Sequence, residues 1–188
     1  MSHGWWNTIT DRVYLKDVYE DIGRYLQDKD TPRVLDVGVE YYNSVCKELI
    51  NNNSVEFWQM DPNKISDSND GFFNCKMQEC IEKYPGSHSM FDVILDIGVL
   101  GWNGIRFSQI EQEEYINNIL SLLKQGGVYI LHSDRVEQED EYKINFNKLI
   151  YPNFDKIDFM NRSTTHIIQC PINGTIWDIN FLRKKVQK

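Results

Sequence analysis

Polar residues at the ends of four apolar runs are the best candidates for chemistry in this sequence. Each run has the length and composition of a buried strand. The residues that end them are, in chain order, Asp36 with Gly38, Asp61, the segment from Asp96 to Trp102, and the segment from His132 to Asp134. In open α/β sheets, ligands bind beyond the carboxyl ends of the strands. We therefore expect these residues to line one rim of a sheet and to surround its binding site.

The first run ends in half of a nucleotide-binding turn. Asp36 and Gly38 precede a predicted helix, but the further glycines of such turns are replaced by residues 39–43. An ordinary strand-to-helix turn explains the same residues. Asp61, about 25 residues after Asp36, favours the nucleotide interpretation, since a carboxylate at the end of the second strand can accept both hydroxyls of a ribose. A solvent-facing turn before Pro62 is the alternative.

The elements that position these residues alternate between strands and helices. Strands are predicted at 33–38, 55–60, 71–76, 91–96, 128–132, 154–160, 165–170 and 175–183. Helices are predicted from about 11 to 27, around Val45 to Ile50, from the capping box of Ser108 and Glu111 up to the glycines at 126–127, and around Ile144 to Ile150. Asn173 and Gly174 predict a tight hairpin between the last two strands. The pattern indicates one α/β domain over 1–188, with a helical cap (1–30) before a core (31–188) whose mostly parallel sheet has an antiparallel hairpin at one edge.

Composition excludes several classes of protein. The 188 residues suffice for one domain, and 20 Lys and Arg against 28 Asp and Glu give a net charge of −8. This charge repels phosphate backbones, so we do not expect nucleic acid as a partner. No apolar run approaches the roughly 20 residues that span a bilayer, and the first residues do not resemble a signal peptide, which predicts a cytoplasmic protein without a membrane partner. The four cysteines include no C-x-x-C pair, so we expect buried free thiols and no metal site.

Four segments together resemble the motifs of class I S-adenosylmethionine-dependent methyltransferases. They are Val34-Leu-Asp-Val-Gly38, Met60-Asp-Pro62, Phe91-Asp-Val-Ile-Leu-Asp-Ile-Gly-Val-Leu-Gly-Trp102 and Leu122-Leu-Lys-Gln-Gly-Gly-Val128. Their order and spacing match over most of the chain. The resemblance implies a Rossmann-like methyltransferase fold, with a seven-stranded sheet whose last strand is antiparallel. It also implies that S-adenosyl-L-methionine is the cofactor and lies across the first two strand ends.

The resemblance also implies which residues form the cofactor site. By position these are Asp36, Val37, Gly38, Tyr41, Asp61, Pro62, Met77, Gln78, Asp96, Ile97 and Gly98. Asp36 and Gly38 are expected beside the methionine half and Asp61 at the ribose, while residues 96–98 flank the methyl sulfonium and the acceptor. The sequence departs from the family at the glycine-poor loop and at Met77-Gln78, where an acidic residue often meets the adenine. Gln78 can still hydrogen-bond the base, and Met77 can pack on it.

Methyl transfer from a sulfonium depends on positioning and desolvation more than on a strong base. Aromatic faces favour a cationic sulfonium, so Trp5, Trp6 and Trp102 are predicted to bind substrate and to close over the site, with Tyr41 and Tyr42 in the adjacent loop. Core packing, or a hydrophobic staple for the N-terminal pair, is the alternative for these residues.

A hydroxyl or amine acceptor benefits from a general base. Asp96 and His132 are the predicted catalytic residues, and Asp134 is a further candidate. A structural histidine whose hydrogen bonds are satisfied is the alternative reading of His132. The acidic run 137–141 has the chemistry of metal ligands, but a solvated charged loop explains it better.

Three functions are compatible with this pattern. The first is methyl transfer from S-adenosylmethionine to a small or medium-sized acceptor, and the second is a binding or scaffold protein that keeps the fold without turnover. The glycine-poor loop favours the second, and failure to bind the cofactor would support it. A nicotinamide-dependent oxidoreductase is the third, but it needs a fuller glycine fingerprint than this sequence has. The sequence predicts neither the acceptor nor the oligomeric state.

Overall fold

The computed structural model describes residues 15–38, 50, 54–63, 71–101, 106–134, 142–169 and 176–186. Four predicted site residues lie outside these ranges, namely Trp5, Trp6, Tyr41 and Trp102. Most of the predicted helix around Val45 and the hairpin turn at 173–174 also lie outside them. All the other predicted site residues are described.

A helix, α1 (Lys16–Leu26), precedes the sheet, within the range predicted for it. Its buried residues Val18, Tyr19, Ile22 and Leu26 recur every three or four positions and form one apolar stripe. The stripe packs against what we call the α1 face of the sheet, which carries Val34, Val93, Leu95, Val128, Ile130, Ile179 and Phe181. No helix in the described ranges is long and apolar enough to cross a membrane.

In the part of the chain that the structure describes, eight strands form one sheet. They are β1 (Arg33–Val37), β2 (Glu56–Met60), β3 (Phe72–Phe73), β4 (Phe91–Gly101), β5 (Leu123–Asp134), β6 (Phe154–Lys156), β7 (Thr165–Gln169) and β8 (Ile176–Lys184). Their order is β3-β2-β1-β4-β5-β8-β6, and β7 also pairs with β8. The first five strands are parallel, whereas β8 runs antiparallel to β5, β6 and β7. The predicted mostly parallel sheet with a C-terminal antiparallel hairpin at one edge is confirmed.

The eight strands occupy seven positions, because β6 and β7 share one side of β8. β6 pairs with the end of β8 at 182–184, and β7 pairs with its beginning at 176–180. The predicted strand at 154–160 is therefore too long. Met160 and Asn161 have φ of 47° and 71°, and Phe159 pairs with Arg162 across them. Two successive residues of positive φ make the tight turn that separates β6 from β7.

The other face of the sheet is covered by α3 (Gln109–Leu122), and we call it the α3 face. It carries Leu35, Val37, Met60, Ile94, Tyr129 and Leu131, against which α3 buries Tyr115, Ile116, Ile119 and Leu122. The predicted capping box is confirmed. The Ser108 hydroxyl accepts from the Glu111 amide at 3.3 Å, and the Glu111 carboxylate accepts from the Ser108 amide at 2.8 Å. A short helix, α2 (Cys80–Lys83), packs beside α3.

The prediction that α3 reaches the glycine pair at 126–127 is wrong. The helix ends at Leu122, and Leu123 already pairs with Phe91. The next registered pair is Val93 with Val128, so residues 124–127 bulge out of the ladder, with Gly126 at φ 71°. The sheet pairing therefore begins before the turn that the glycines build.

Two further predicted elements are shorter than expected. The helix around Ile144 to Ile150 is one π-helical turn, Phe146–Ile150, capped by the side chain of Asn145 on the amide of Lys148 at 3.0 Å. The strand predicted at 71–76 reduces to Phe72–Phe73, after which the chain turns into a 3₁₀-helix at Met77–Glu79. Both corrections affect the rim of the sheet rather than its centre.

Candidate active site

The predicted site residues meet at the carboxyl edge of the parallel strands. Val37 of β1 lies between Met60 of β2 and Asp96 of β4, and Asp96 lies beside Leu131 of β5. One residue further along these four strands come Gly38, Asp61, Ile97 and His132. The sheet therefore brings the predicted polar positions to one rim.

The turn after β1 is built around Gly38. Its φ is 80°, and its amide donates to the carbonyl of Met60 at 2.8 Å. A Cβ atom at this position would lie 2.3 Å from Cγ2 of Val99. Two features therefore require glycine at position 38. The backbone is left-handed, and the side chain of Val99 leaves no room for a Cβ atom. Asp36, just before the turn, is fully buried.

Asp61 is buried beside that turn rather than facing solvent. Its side chain is 3% exposed, and Oδ1 accepts from the amide of Asn63 at 2.7 Å, which closes a short turn over the exposed Pro62. Its own amide donates to the carbonyl of Phe73 at 3.2 Å. Burial argues against the solvent-facing alternative for this aspartate.

The segment after β3 is held by α3. Asn118 donates from Nδ2 to the carbonyl of Gln78 at 3.2 Å and accepts at Oδ1 from the amide of Ile81 at 3.3 Å. The side chain of Met77 is buried in the core of the α3 face, and Gln78 is half-buried. Met77 is therefore part of the core, whereas Gln78 keeps an exposed fraction in the segment after β3.

Asp96 lies in a fully buried network at the end of β4. Its Oδ2 accepts from the hydroxyls of Tyr115 at 2.8 Å and Tyr129 at 2.7 Å, and its Oδ1 accepts from the amide of Leu100 at 3.2 Å. Burial raises the pKa of the Asp96 carboxyl, and the three hydrogen bonds and the nearby His132 oppose that shift. Burial and the adjacent Asp96 raise the pKa of both tyrosines well above the usual 10.0.

The backbone of β4 is irregular just beyond Asp96. Asp96 pairs with Leu131, and the next registered pair is Gly101 with Ser133, so four residues of β4 face a single residue of β5. Gly98 lies in this bulge at φ 82°, with no atom within 4 Å of where its Cβ would be. Bulges of this kind re-aim side chains next to binding sites.

His132 lies on the opposite face of the sheet from the side chain of Asp96. It is fully buried and pairs with Ile179, a residue of the α1 face. The partners of Asp96, Tyr115 and Tyr129, belong to the α3 face. The two predicted catalytic residues are therefore close in space, but their side chains lie on opposite faces of the sheet.

The arrangement resembles solved methyltransferases over nearly the whole chain. The 1,6-didemethyltoxoflavin-N1-methyltransferase of Burkholderia thailandensis, solved with 1,6-didemethyltoxoflavin and S-adenosylhomocysteine, aligns with a TM-score of 0.66 and 15% identity over 94% of this chain and 80% of that one. The N-methyltransferase NodS of Bradyrhizobium japonicum aligns with a TM-score of 0.61 and 11% identity over 95% of this chain and 100% of that one. This chain has the Rossmann-like fold of class I methyltransferases.

The same methyltransferase fold serves different acceptors. The 16S rRNA (adenine(1408)-N(1))-methyltransferase of Catenulisporales acidiphilia aligns with a TM-score of 0.53 and 9% identity over 89% of this chain and 92% of that one. No family model matches the sequence, and no curated protein sequence does. Because one fold hosts many functions, these similarities leave the acceptor of this chain open.

Sequence reasoning missed three residues of this methyltransferase fold that tie the site to α3. The sequence predicts only a helix at Tyr115 and only a strand at Tyr129, although a buried tyrosine hydroxyl requires a partner. Gln112 is 1% exposed and donates from Nε2 to the carbonyls of Phe107 and Tyr142, each at 3.0 Å. It thereby joins the segments that follow β4 and β5. A glutamine on the buried stripe of a predicted helix was the available signal.

In the described ranges, no three His, Cys, Asp or Glu side chains are grouped so that they could hold a metal ion. Cys75 and Cys80 are free and buried, as predicted for the thiols.

Proposed function

We propose that this chain is an S-adenosylmethionine-dependent methyltransferase that acts on a small-molecule acceptor. The observation that carries the proposal is the pair of buried carboxylates, Asp36 and Asp61, which flank the left-handed turn at Gly38 on adjacent strand ends. Carboxylates at this place are suited to a ligand with hydroxyl or ammonium groups, because ligands of open α/β sheets bind at the carboxyl ends of the strands. Two solved structures of the same fold, 15% and 11% identical to this chain, contain S-adenosylhomocysteine.

The chemistry of the rim fits this cofactor. Asp61 accepts the ribose hydroxyls, since a carboxylate has about four acceptor positions and the amide of Asn63 is one of its donors. Asp36, Val37 and Gly38 border the methionine half, whose ammonium group complements Asp36. Pro62 and Gln78 border the base, with Met77 beneath them.

When bound, S-adenosylmethionine supplies an electrophilic methyl group. Ile97 and Gly98 at the end of β4 border the place of transfer, and the apolar side chain of Ile97 helps to exclude water. Positioning in line and desolvation supply most of the rate for such a displacement. His132 is the candidate base where the acceptor needs deprotonation.

The acceptor is assigned to small molecules on two grounds. The toxoflavin enzyme, which was solved with the small molecule 1,6-didemethyltoxoflavin, is similar to this chain in fold and in length. The N-methyltransferase NodS is similar in the same two respects. The net charge of −8 opposes the binding of a nucleic acid backbone. Trp5, Trp6, Tyr41 and Trp102 remain predicted contacts of cofactor or acceptor.

Calorimetric titration with S-adenosylhomocysteine tests the cofactor site. The wild-type protein should bind with a dissociation constant on the order of micromolar, about 8 kcal/mol of binding free energy. Asp61→Asn should weaken binding about tenfold or more, because an amide offers the ribose fewer acceptor positions. The exposed Asp158→Asn is the matched control and should bind like wild type.

A scaffold without turnover is the second candidate function. It is favoured by the glycine-poor turn and by Val99, whose side chain occupies the space that a Cβ of Gly38 would take. The same titration separates the two functions. A folded wild-type protein that binds neither S-adenosylhomocysteine nor S-adenosylmethionine would contradict the methyltransferase proposal and support the scaffold.

A further inference from the structure

The carboxylate of Asp96 is the centre of a buried polar network on the α3 face. Asp96 and Tyr129 are 0% exposed and Tyr115 is 1% exposed. Each group comes from a different element, since Tyr115 is on α3, Tyr129 on β5 and Asp96 on β4. Burying a carboxylate is unfavourable unless donors surround it, and here two hydroxyls and one amide do so.

The amide contact links this network to the shape of β4. Leu100 lies four residues after Asp96, beyond the bulge, and its N–H turns back to Oδ1 of Asp96. This hydrogen bond spans Gly98, whose φ of 82° lets the backbone reverse. The carboxylate therefore fixes both ends of the bulge.

The bulge also determines which side chain contacts the turn after β1. Val99 lies within the bulge, and its Cγ2 is 2.3 Å from the position that a Cβ of Gly38 would take. The position of Gly38 is fixed by a hydrogen bond that its amide donates to the carbonyl of Met60. A shift of the bulge would move Val99 relative to the Gly38 turn.

We propose that Asp96 is a positioning residue, which acts through Tyr115, Tyr129 and the amide of Leu100 to hold Val99 against the Gly38 turn. It does not act as the base of the reaction. The effect on ligand binding rests on the cofactor site proposed above, whereas the effect on the bulge concerns the free protein alone. Asp96 thus shapes the cofactor site from the face of the sheet opposite to His132.

Hydrogen exchange of the ligand-free protein tests the bulge. Tyr115→Phe and Tyr129→Phe each remove one hydroxyl and keep the ring, and the double variant removes both. We expect exchange of the Leu100 amide to accelerate about tenfold or more in the double variant, because its acceptor loses two of its three anchors. Tyr19→Phe is the control, since this buried tyrosine belongs to the α1 face. Unchanged exchange at Leu100 in the double variant would overturn the proposal.

Binding of S-adenosylhomocysteine is the second readout. The double variant should bind about tenfold more weakly than wild type, while Tyr19→Phe should bind equally well. Asp96→Asn should rescue most of the affinity that Asp96→Ala loses, because the amide still accepts from Leu100 and can donate to a tyrosine oxygen. Equal affinity in the double variant and wild type would refute positioning of the site. Wild-type protein that binds no ligand would refute the proposed function alone, and the exchange at Leu100 would still decide the role of Asp96.

Discussion

Asp96 and His132 lie on the neighbouring strands β4 and β5, yet their side chains belong to opposite faces of the sheet. Asp96 accepts from Tyr115 of α3, whereas His132 pairs with Ile179, which packs towards α1. Side chains alternate along a strand, so a difference of one residue at the rim decides the face. An acid–base pair of these two residues is therefore incompatible with the register. The positioning role proposed for Asp96 therefore concerns the α3 face, whereas the base proposed at His132 lies on the α1 face.

The stability of the protein should depend on the ionisation of Asp96. Burial raises its pKa above the usual 3.8, so between 3.8 and the raised value the folded chain keeps a proton that the unfolded chain has lost. The free energy of unfolding should therefore fall as pH rises through this window, by at most about 1.4 kcal/mol per pH unit. Asp96→Asn, which does not titrate, should lack this fall.

Urea unfolding of both proteins from about pH 4 upwards measures the difference. The stability of wild type relative to Asp96→Asn should decrease as pH increases and level off above the raised pKa. Parallel curves for the two proteins would show that the folded carboxyl titrates as in the unfolded chain, which would contradict the buried network.

Tyr115 and Tyr129 should remain protonated in the native protein at alkaline pH. Burial and Asp96 raise the pKa of both well above 10.0, and the chain holds 10 tyrosines in total. At alkaline pH the folded Tyr115→Phe, Tyr129→Phe double variant should therefore show the same tyrosinate absorbance as folded wild type. After unfolding, the absorbance of the double variant should be lower than that of wild type by the contribution of two tyrosines. A smaller native amplitude in the double variant would mean that these hydroxyls ionise in the folded state.

The two glycines of positive φ at the rim should respond differently to a methyl group. Gly98→Ala adds only the backbone strain of a left-handed alanine, about 1 to 2 kcal/mol, since nothing lies within 4 Å of its Cβ. Gly38→Ala adds the same strain and also collides with Val99, which should destabilise by about 1 to 3 kcal/mol more.

A double-mutant cycle identifies that contact. In a Val99→Ala background the effect of Gly38→Ala should shrink towards that of Gly98→Ala, measured by the free energy of unfolding. Equal effects of Gly38→Ala in the two backgrounds would place the strain in the backbone alone.

Local patterns predicted the parts of the fold that depend on neighbouring residues. The apolar runs that end in Asp36, Asp61 and Asp96 became parallel strands, because strands buried on both faces are continuously apolar. Ser108 and Glu111 predicted the start of α3, since a capping box involves only four residues. The division between β6 and β7 had no such signal.

That division is decided by tertiary contacts. Asparagine, as at Asn161, adopts positive φ more readily than most residues, but methionine rarely has the positive φ of Met160. Phe159 stacks on Phe181 at 5.1 Å between ring centroids, and Arg162 pairs with Asp21. These contacts hold the turn in place. The network of Asp96 was hidden for a similar reason, since Tyr115 and Tyr129 are 19 and 33 residues away from it in sequence.

The ion pair of Arg162 with Asp21 should stabilise the attachment of α1. Asp21 is 1% exposed on α1, and Arg162 is 19% exposed and donates from Nε to its carboxylate. Arg162→Ala should lower the free energy of unfolding by about 2 kcal/mol, because a buried carboxylate then depends on Arg24 alone among its described ion-pair partners. The exposed Arg183→Ala is the matched control, with an expected change within about 0.5 kcal/mol. Urea unfolding measures both, and equal effects would mean that the strained turn at Met160 and Asn161 is held by the stacking of Phe159 rather than by the charge of Arg162.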